Sequence, residues 1–379
     1  MQFAQRVNKL VKDMNSSYKK RKTVDYFLMI LVFALTAFGL IMIYSVSKYL
    51  SLQITGQASD KYYLVRQLVS LGIGVVVWIV FQAIDYKYWQ KHTGTMLWIT
   101  IILLCCVFFF RGGSSSRWIS LFGLGFQPSE FAKLSMILYL SGWLSSKKES
   151  GDIDQSFVPF LLFVGAISLL MLIQKDLGTL SIIVFIAAII FFTAGAKLSN
   201  IAIGGSLGVF LVWLAIKIEP YRMQRLTAFL NPNNVTLSAT YQIRNALIAI
   251  GSGGLWGKGF GQSVQKYLYL PEAQTDAIFP IIAEELGFLR AGAVIVVYAV
   301  IAYRGYSIAR RAPDSYSQLV AVGITTWIIW QTFVNLAAMM ALVPLTGVPL
   351  PFVSYGGTSL IAFLAAVGIL LNISKQAAD

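Results

Sequence analysis

Apolar residues run along this chain in long blocks rather than in strand-like alternation. A helix that crosses about 30 Å of hydrocarbon needs roughly 20 mostly apolar residues. Ten such windows fall near 26–47, 64–84, 95–110, 130–146, 157–173, 177–195, 200–217, 277–303, 318–343 and 357–373. Two are less uniform: 95–110 is short, and 130–146 carries Glu130 and Lys133. The pattern predicts an all-α polytopic membrane protein with about ten transmembrane helices. An even number of crossings puts both termini on one side. A single membrane domain over 25–375 would follow a basic tail over 1–24.

The connections decide the orientation. With the N-terminus inside, the inner segments hold sixteen Lys and Arg, including Lys19 to Lys22, Lys87, Lys91, Lys147, Lys148, Arg310 and Arg311. The short outer connections hold five: Lys48, Lys61, Arg111, Arg117 and Lys175. Excess Lys and Arg mark the cytoplasmic side, so both termini are expected to be cytoplasmic. One outer connection, 218–276 between helices 7 and 8, is far longer than the rest. Loops of that length are usually functional or disordered. Its Tyr221, Phe229, Tyr241, Trp256, Phe260, Tyr267 and Tyr269 can pack, and 241–250 reads as an interfacial helix. The last outer connection, 344–359, has three prolines and three glycines and cannot be a plain helix. A re-entrant segment that shapes a groove is the expected form.

Composition removes other classes. The 379 residues are 57% hydrophobic and 12% charged, with mean hydropathy +0.70. Soluble domains carry about 25% charged residues. The net charge of +14 reflects the inner-side bias and contact with anionic headgroups, so no nucleic acid is expected. Cys105 and Cys106 are adjacent, too few for a structural zinc site. His92, the single histidine, lies in a short polar connection. Chemistry built on imidazole therefore has almost nothing to use.

Several motifs have two readings. Gly251 to Gly261 is glycine-dense around Gly257-Lys258. It misses the nucleotide-binding pattern twice, at Ser252 and at Gly259. What remains is either backbone that closely approaches a ligand or a series of tight turns. Asp276 precedes the eighth span, so Thr275 or Asp276 could cap that helix. The alternative is a general base at the outer surface; burial would raise its pKa, while the helix terminus and Lys266 would lower it. Acid–base work outside must fall to a carboxylate such as Asp276 or Glu272. Glu130 and Lys133 could simply pair at helical spacing, although charges within a span are functional candidates. Arg66, Arg117, Lys133 and Lys266 all belong in the outer half and together could hold a phosphate-bearing headgroup.

The chain resembles the SEDS family (shape, elongation, division and sporulation). The carriers are Arg117-Trp118-Ile119, Gln127-Pro128-Ser129-Glu130, Gln174 to Thr179, Tyr241-Gln242 with Ala249 to Gly254, Tyr269 to Asp276, Glu284 to Gly287, and Pro349 to Gly357. They occur in family order over 26–373. Ser263-Val264-Gln265-Lys266 is more similar to the family's division branch than to its elongation branch. The sequence departs from the family at Gln274, usually histidine, at Asn231, usually aspartate, at Ser238-Ala239-Thr240, usually glycines, and at Leu268, often glutamate in division members.

The resemblance implies a peptidoglycan glycosyltransferase that polymerises lipid II at the outer face of the cytoplasmic (inner) membrane, at the division septum. It implies a class B penicillin-binding protein and other divisome proteins as partners. Asp276 falls on the family's essential aspartate, as general base or as ligand of a divalent cation such as Mg or Mn. Arg66, Arg117, Lys133, Gln242, Lys266, Glu272 and Ser354 become the substrate-binding candidates. Two rivals remain: a lipid II flippase, or a scaffold without chemistry. A flippase needs polar groups throughout the membrane depth, and few occur below Lys133, which favours the enzyme. Within the family, a sidewall-elongation role is the alternative to septation.

Overall fold

The computed structural model describes residues 23–109, 117–121, 124–231 and 238–377. Apart from Thr23 and Val24, the basic tail lies outside these residues, as do Arg111 and the Pro232 of the Asn-Pro pair. The helices are α1 (Tyr26–Ile54), α2 (Tyr62–Ala83), α3 (Tyr86–Phe109), α4 (Pro128–Ser150), α5 (Phe157–Ile173), α6 (Leu177–Ala194) and α7 (Leu198–Ile218). They continue with α8 (Pro220–Leu230), α9 (Ser238–Ser252), α10 (Ile278–Arg310), α11 (Ser315–Met339) and α12 (Gly357–Gln376). A small antiparallel hairpin, β1 (Ile119–Leu121) and β2 (Leu124–Phe126), sets Ile119 opposite Phe126.

Among the described residues, nine helices are long and apolar enough to cross a membrane. The remaining long helix, α4, carries Glu130, Lys133, Lys147, Lys148 and Glu149. Its polar side chains at Ser129, Glu130, Lys133, Ser135 and Ser141 are buried against other helices, so protein rather than lipid surrounds them. α3 begins at Tyr86, well before the expected 95, and α1 runs on to Ile54. Helical hydrogen bonding continues beyond the apolar stretch that hydropathy detects. His92 accordingly sits in the first turns of α3, with its Nδ1 2.9 Å from the Tyr88 carbonyl, not in a connection.

α11 and α12 are the most buried of the nine, whereas α7 is almost wholly exposed. α12 lies along α2, and α11 packs on α4, α6 and α10. Local chemistry fixes the helix starts. Asp25 accepts from Leu28 N at 3.0 Å at the head of α1 and pairs with Arg304 of α10 at 2.7 Å. Asp314 and Ser317 form a reciprocal capping box on α11.

The long connection between α7 and α10 is ordered wherever it is described, with α8, α9 and a series of turns. α10 is broken at Gly287 (φ 79°, ψ 173°). The glycine-dense segment enters that break. Lys258 N and Gly259 N donate to the Glu284 and Glu285 carbonyls at 2.9 and 3.0 Å, and Phe288 N donates to Gly254 O at 2.9 Å. A Cβ on Gly257 would lie 2.3 Å from the Glu285 carbonyl oxygen. The backbone that these glycines approach so closely is therefore the protein's own.

Candidate active site

A cavity of about 1190 Å³ opens at the end of the bundle where α2, α4, α6, α10 and α12 begin. Its polar end is lined by Arg66, Arg117, Lys175, Asp176, Arg225, Gln242, Glu272 and Asp276. Ile73, Val77 and Phe81 continue the lining along one face of α2, with Phe131 and Ile361 also on the wall. From Arg66 to Phe81 that face descends about 22 Å at 1.5 Å per residue. The site is a charged chamber joined to a long apolar groove.

Asp276 stands in the turn before α10. The cap position of that helix is Ala277, with no side-chain cap bond, so the capping reading of Thr275 and Asp276 does not describe this site. Asn335 of α11 fixes the aspartate from behind: its Nδ2 donates to the Asp276 carbonyl at 2.7 Å and to the Val348 carbonyl at 2.8 Å. The carboxyl is buried. Burial, helped by the nearby Glu272 charge, pushes its pKa up from 3.8 to about 7, while Arg225 and the Thr275 hydroxyl pull the other way. A buried acid poised near neutrality suits proton transfer. Glu272, at φ 54°, accepts from Thr275 Oγ1 at 2.8 Å and lines the same chamber.

The cations are held in specific ways. Arg117, at the foot of the hairpin, pairs with Asp176 at 3.5 Å and donates to the Lys175 carbonyl. Asp176 also caps α6 through Thr179 N at 3.1 Å. The Arg66 guanidinium lies 4.4 Å over the Tyr62 ring. Thr358 of α12 ties the hairpin down by donating to the Gly125 carbonyl at 2.9 Å.

The sequence candidates divide accordingly. Asp276, Arg66, Arg117, Gln242 and Glu272 line the cavity. Lys133 does not; it is fully buried, bonded to Glu130 at 2.7 Å and Gln331 at 2.9 Å, with its charge over the Trp327 ring. Lys266 does not either. Its ammonium bonds Glu285 at 2.9 Å and the Gly261 carbonyl at 2.6 Å, so it joins the knot at the α10 break. In that knot Glu284 takes Lys258 at 2.6 Å and Ser263 at 2.5 Å. Ser354 turns away from the chamber and accepts from Leu350 N at 2.8 Å. These three miss because spacing reveals a charge or hydroxyl but not its partner on a distant helix.

Arg225, Lys175 and Asp176 are lining residues that the residue-by-residue reading did not single out as ligands. The Tyr-Arg-Met-Gln-Arg run at the start of α8 was the available signal for Arg225. Two buried lining groups, Gln242 Nε2 and Glu130 Oε2, have no hydrogen-bond partner in the protein. Such groups are rare in folded proteins unless something else satisfies them.

Among metal-binding side chains, the described residues contain no group of three or more His, Cys, Asp or Glu that could hold an ion. Asp276 and Glu272 are neighbouring carboxylates in this lining, and Mg²⁺ is commonly held by one or two carboxylates plus substrate phosphate. The donor set therefore fits a divalent cation that arrives with a phosphorylated substrate.

Comparison with known proteins gives the family. The family model for FtsW, RodA and SpoVE, described as "Cell cycle protein", matches residues 26–379. The chain belongs to this family. It is 39% identical to the stage V sporulation protein E of Bacillus subtilis, over 94% of this chain and 98% of that one. It is 36% identical to a probable peptidoglycan glycosyltransferase FtsW of Trichlorobacter lovleyi, over 92% and 93%. Among solved structures, RodA of Thermus thermophilus superposes with TM-score 0.68 at 25% identity, covering 96% of this chain and 99% of RodA. A chain of a peptidoglycan synthase complex that coordinates polymerization and crosslinking superposes with TM-score 0.74 at 25% identity, covering 93% and 98%. As a member of the FtsW/RodA/SpoVE family, this is a multi-pass membrane protein.

Proposed function

We propose that this glycosyltransferase of the SEDS family polymerises lipid II, with Asp276 as general base. The observation that carries the reading is a buried carboxyl at the polar end of a chamber whose walls supply cations and whose exit is a long apolar groove. A polyprenyl carrier needs such a groove, its pyrophosphate needs the cations, and a sugar hydroxyl needs the carboxylate. The relatives named peptidoglycan glycosyltransferase support the reaction class.

The chemistry follows from the placement of groups. The 4-hydroxyl of the acceptor attacks the anomeric carbon of the donor, and its proton passes to the Asp276 carboxylate. The bond from that carbon to the donor's pyrophosphate breaks, and the electron pair leaves with polyprenyl pyrophosphate. Charge grows on the leaving oxygen, where preorganised cations are most effective. A divalent cation held by Asp276 and Glu272 would neutralise pyrophosphate charge when bound. Gln242 supplies a buried donor to orient the sugar.

On the Lys and Arg bias, the termini face the cytoplasm and the chamber opens at the outer face of the cytoplasmic membrane. The synthase-complex relative, which coordinates polymerization and crosslinking, supports a crosslinking partner, and the family resemblance makes that a class B penicillin-binding protein. The FtsW relatives and the Ser263 to Lys266 run favour septal work with divisome proteins over sidewall growth. The test supplies the purified chain, with its transpeptidase partner, with labelled lipid II and separates the glycans on a gel. Polymer from the wild type and none from Asp276→Ala is the expected result. Equal polymer from both removes Asp276 from its role, and lipid movement without polymer makes the protein a flippase.

A further inference from the structure

The chamber must hold two pyrophosphates, and their distances from the reacting atoms differ. On the polymerase reading, on which this inference rests, the donor's pyrophosphate is attached directly to the carbon under attack. The acceptor's pyrophosphate lies two sugar rings away from the hydroxyl that Asp276 deprotonates. The cation nearest Asp276 therefore belongs to the donor, and the remoter ones belong to the acceptor.

Arg225 of α8 meets that condition. A Cβ placed on Gly347 would lie 3.8 Å from Asp276 Oδ2 and 3.9 Å from both Nη1 and Nη2 of Arg225, so carboxylate and guanidinium flank one small gap. Arg225 is also the cation whose charge acts most strongly on Asp276. Its Nη1 donates to the Leu345 carbonyl at 2.8 Å, which orients the planar fork toward the gap. Gly347 has φ 68°, a conformation suited to glycine, and carries no side chain into that gap. Arg66 stacks on Tyr62, and Arg117 pairs with Asp176.

We infer that Arg225 is the catalytic cation for the donor's leaving pyrophosphate, and that Gly347 keeps open the gap in which the donor's anomeric carbon sits. As the bond to that carbon breaks, the electron pair moves onto the pyrophosphate oxygen beside Arg225 while the acceptor proton moves to Asp276. The occupant is the polyprenyl-pyrophosphate end of a glycan strand.

The experiment uses the full chain with its transpeptidase partner, labelled lipid II as substrate and undecaprenyl pyrophosphate as product inhibitor. Arg225→Gln loses the charge and keeps a polar side chain; Arg225→Lys keeps the charge. The Gln variant is expected to lose about 10²- to 10³-fold in kcat, the usual cost of a missing transition-state donor. It should also be inhibited at least about tenfold more weakly by the product, a change of about 1.4 kcal/mol. The Lys variant should recover much of both. Asp276→Asn should lose turnover. Gln and Lys variants that behave alike, or a Gln variant with unchanged product inhibition, overturn the role of Arg225. Full turnover by Asp276→Asn instead overturns the base, and leaves the Arg225 comparison to be read separately.

Discussion

Replacing Asp276 with Asn should stabilise this protein while silencing it. In the folded chain the carboxyl's pKa stands near 7 instead of 3.8 because burial penalises the charge. Each pKa unit is 1.36 kcal/mol, so ionising this group in place costs about 4 kcal/mol relative to the unfolded chain. The direction follows from proton linkage. Between the two values the folded state binds the proton more tightly than the unfolded state, so stability falls as pH rises through that window and stays lowered above 7. Asparagine has no proton to lose. The stability gap between Asp276→Asn and wild type should therefore widen by about 2 kcal/mol between about pH 5.5 and about pH 8.5, with the variant the more stable. Other titrating groups are common to both proteins and cancel in the difference. Thermal unfolding of both proteins in the same detergent at the two pH values measures it. A gap that ignores pH, or a wild type more stable at high pH, would refute the claim that buried charge raises this pKa.

Other expectations can be checked in parallel. The polymerisation rate should climb through about pH 7 with a slope of one as the base loses its proton; a flat profile between pH 6 and 8 argues against Asp276 as base. Lys133→Met strands the Glu130 charge in the interior and should destabilise by about 3–5 kcal/mol, with much of the loss recovered when Glu130→Gln is added, as read by heat stability. Gly257→Ala drives a methyl against the α10 backbone at a positive φ. It should break the splice at Gly287 and cost at least about 2 kcal/mol, seen as a lowered Tm; an unchanged Tm would show that the loop can shift.

Much of the architecture is legible because lipid imposes a simple rule on sequence. The apolar windows locate the spanning helices, and their errors are confined to helix ends, as at Tyr86 and Ile54, where helix outlasts hydrophobicity. α4 shows why hydropathy alone falters: its Glu130 and Lys133 face protein, which no window can detect. At the site, elimination left a carboxylate such as Asp276 or Glu272, since the chain offers no outward histidine, and the family likeness singled out Asp276. Arg66, Arg117, Gln242 and Glu272 were accessible by charge and family likeness. Lys133, Lys266 and Ser354 were not sorted correctly because their partners, Gln331, Glu285 and Leu350, arrive through tertiary packing. Arg225 was overlooked for the same reason; only the folded chain brings it beside Gly347.

The splice of the glycine-rich segment into α10 has a mechanical corollary. The arm that carries Asp276 is anchored twice, by strand-like bonds at the helix break and by the Asn335 clamp. On the proposed reading, its acid is thus aimed before any substrate arrives, and little reorganisation remains for the moment of reaction. If the substrate is a polyprenyl-linked sugar as proposed, its carrier has to be accommodated elsewhere, along the apolar face of α2. On the proposed reading, a fixed acid and a sliding carrier share one chamber.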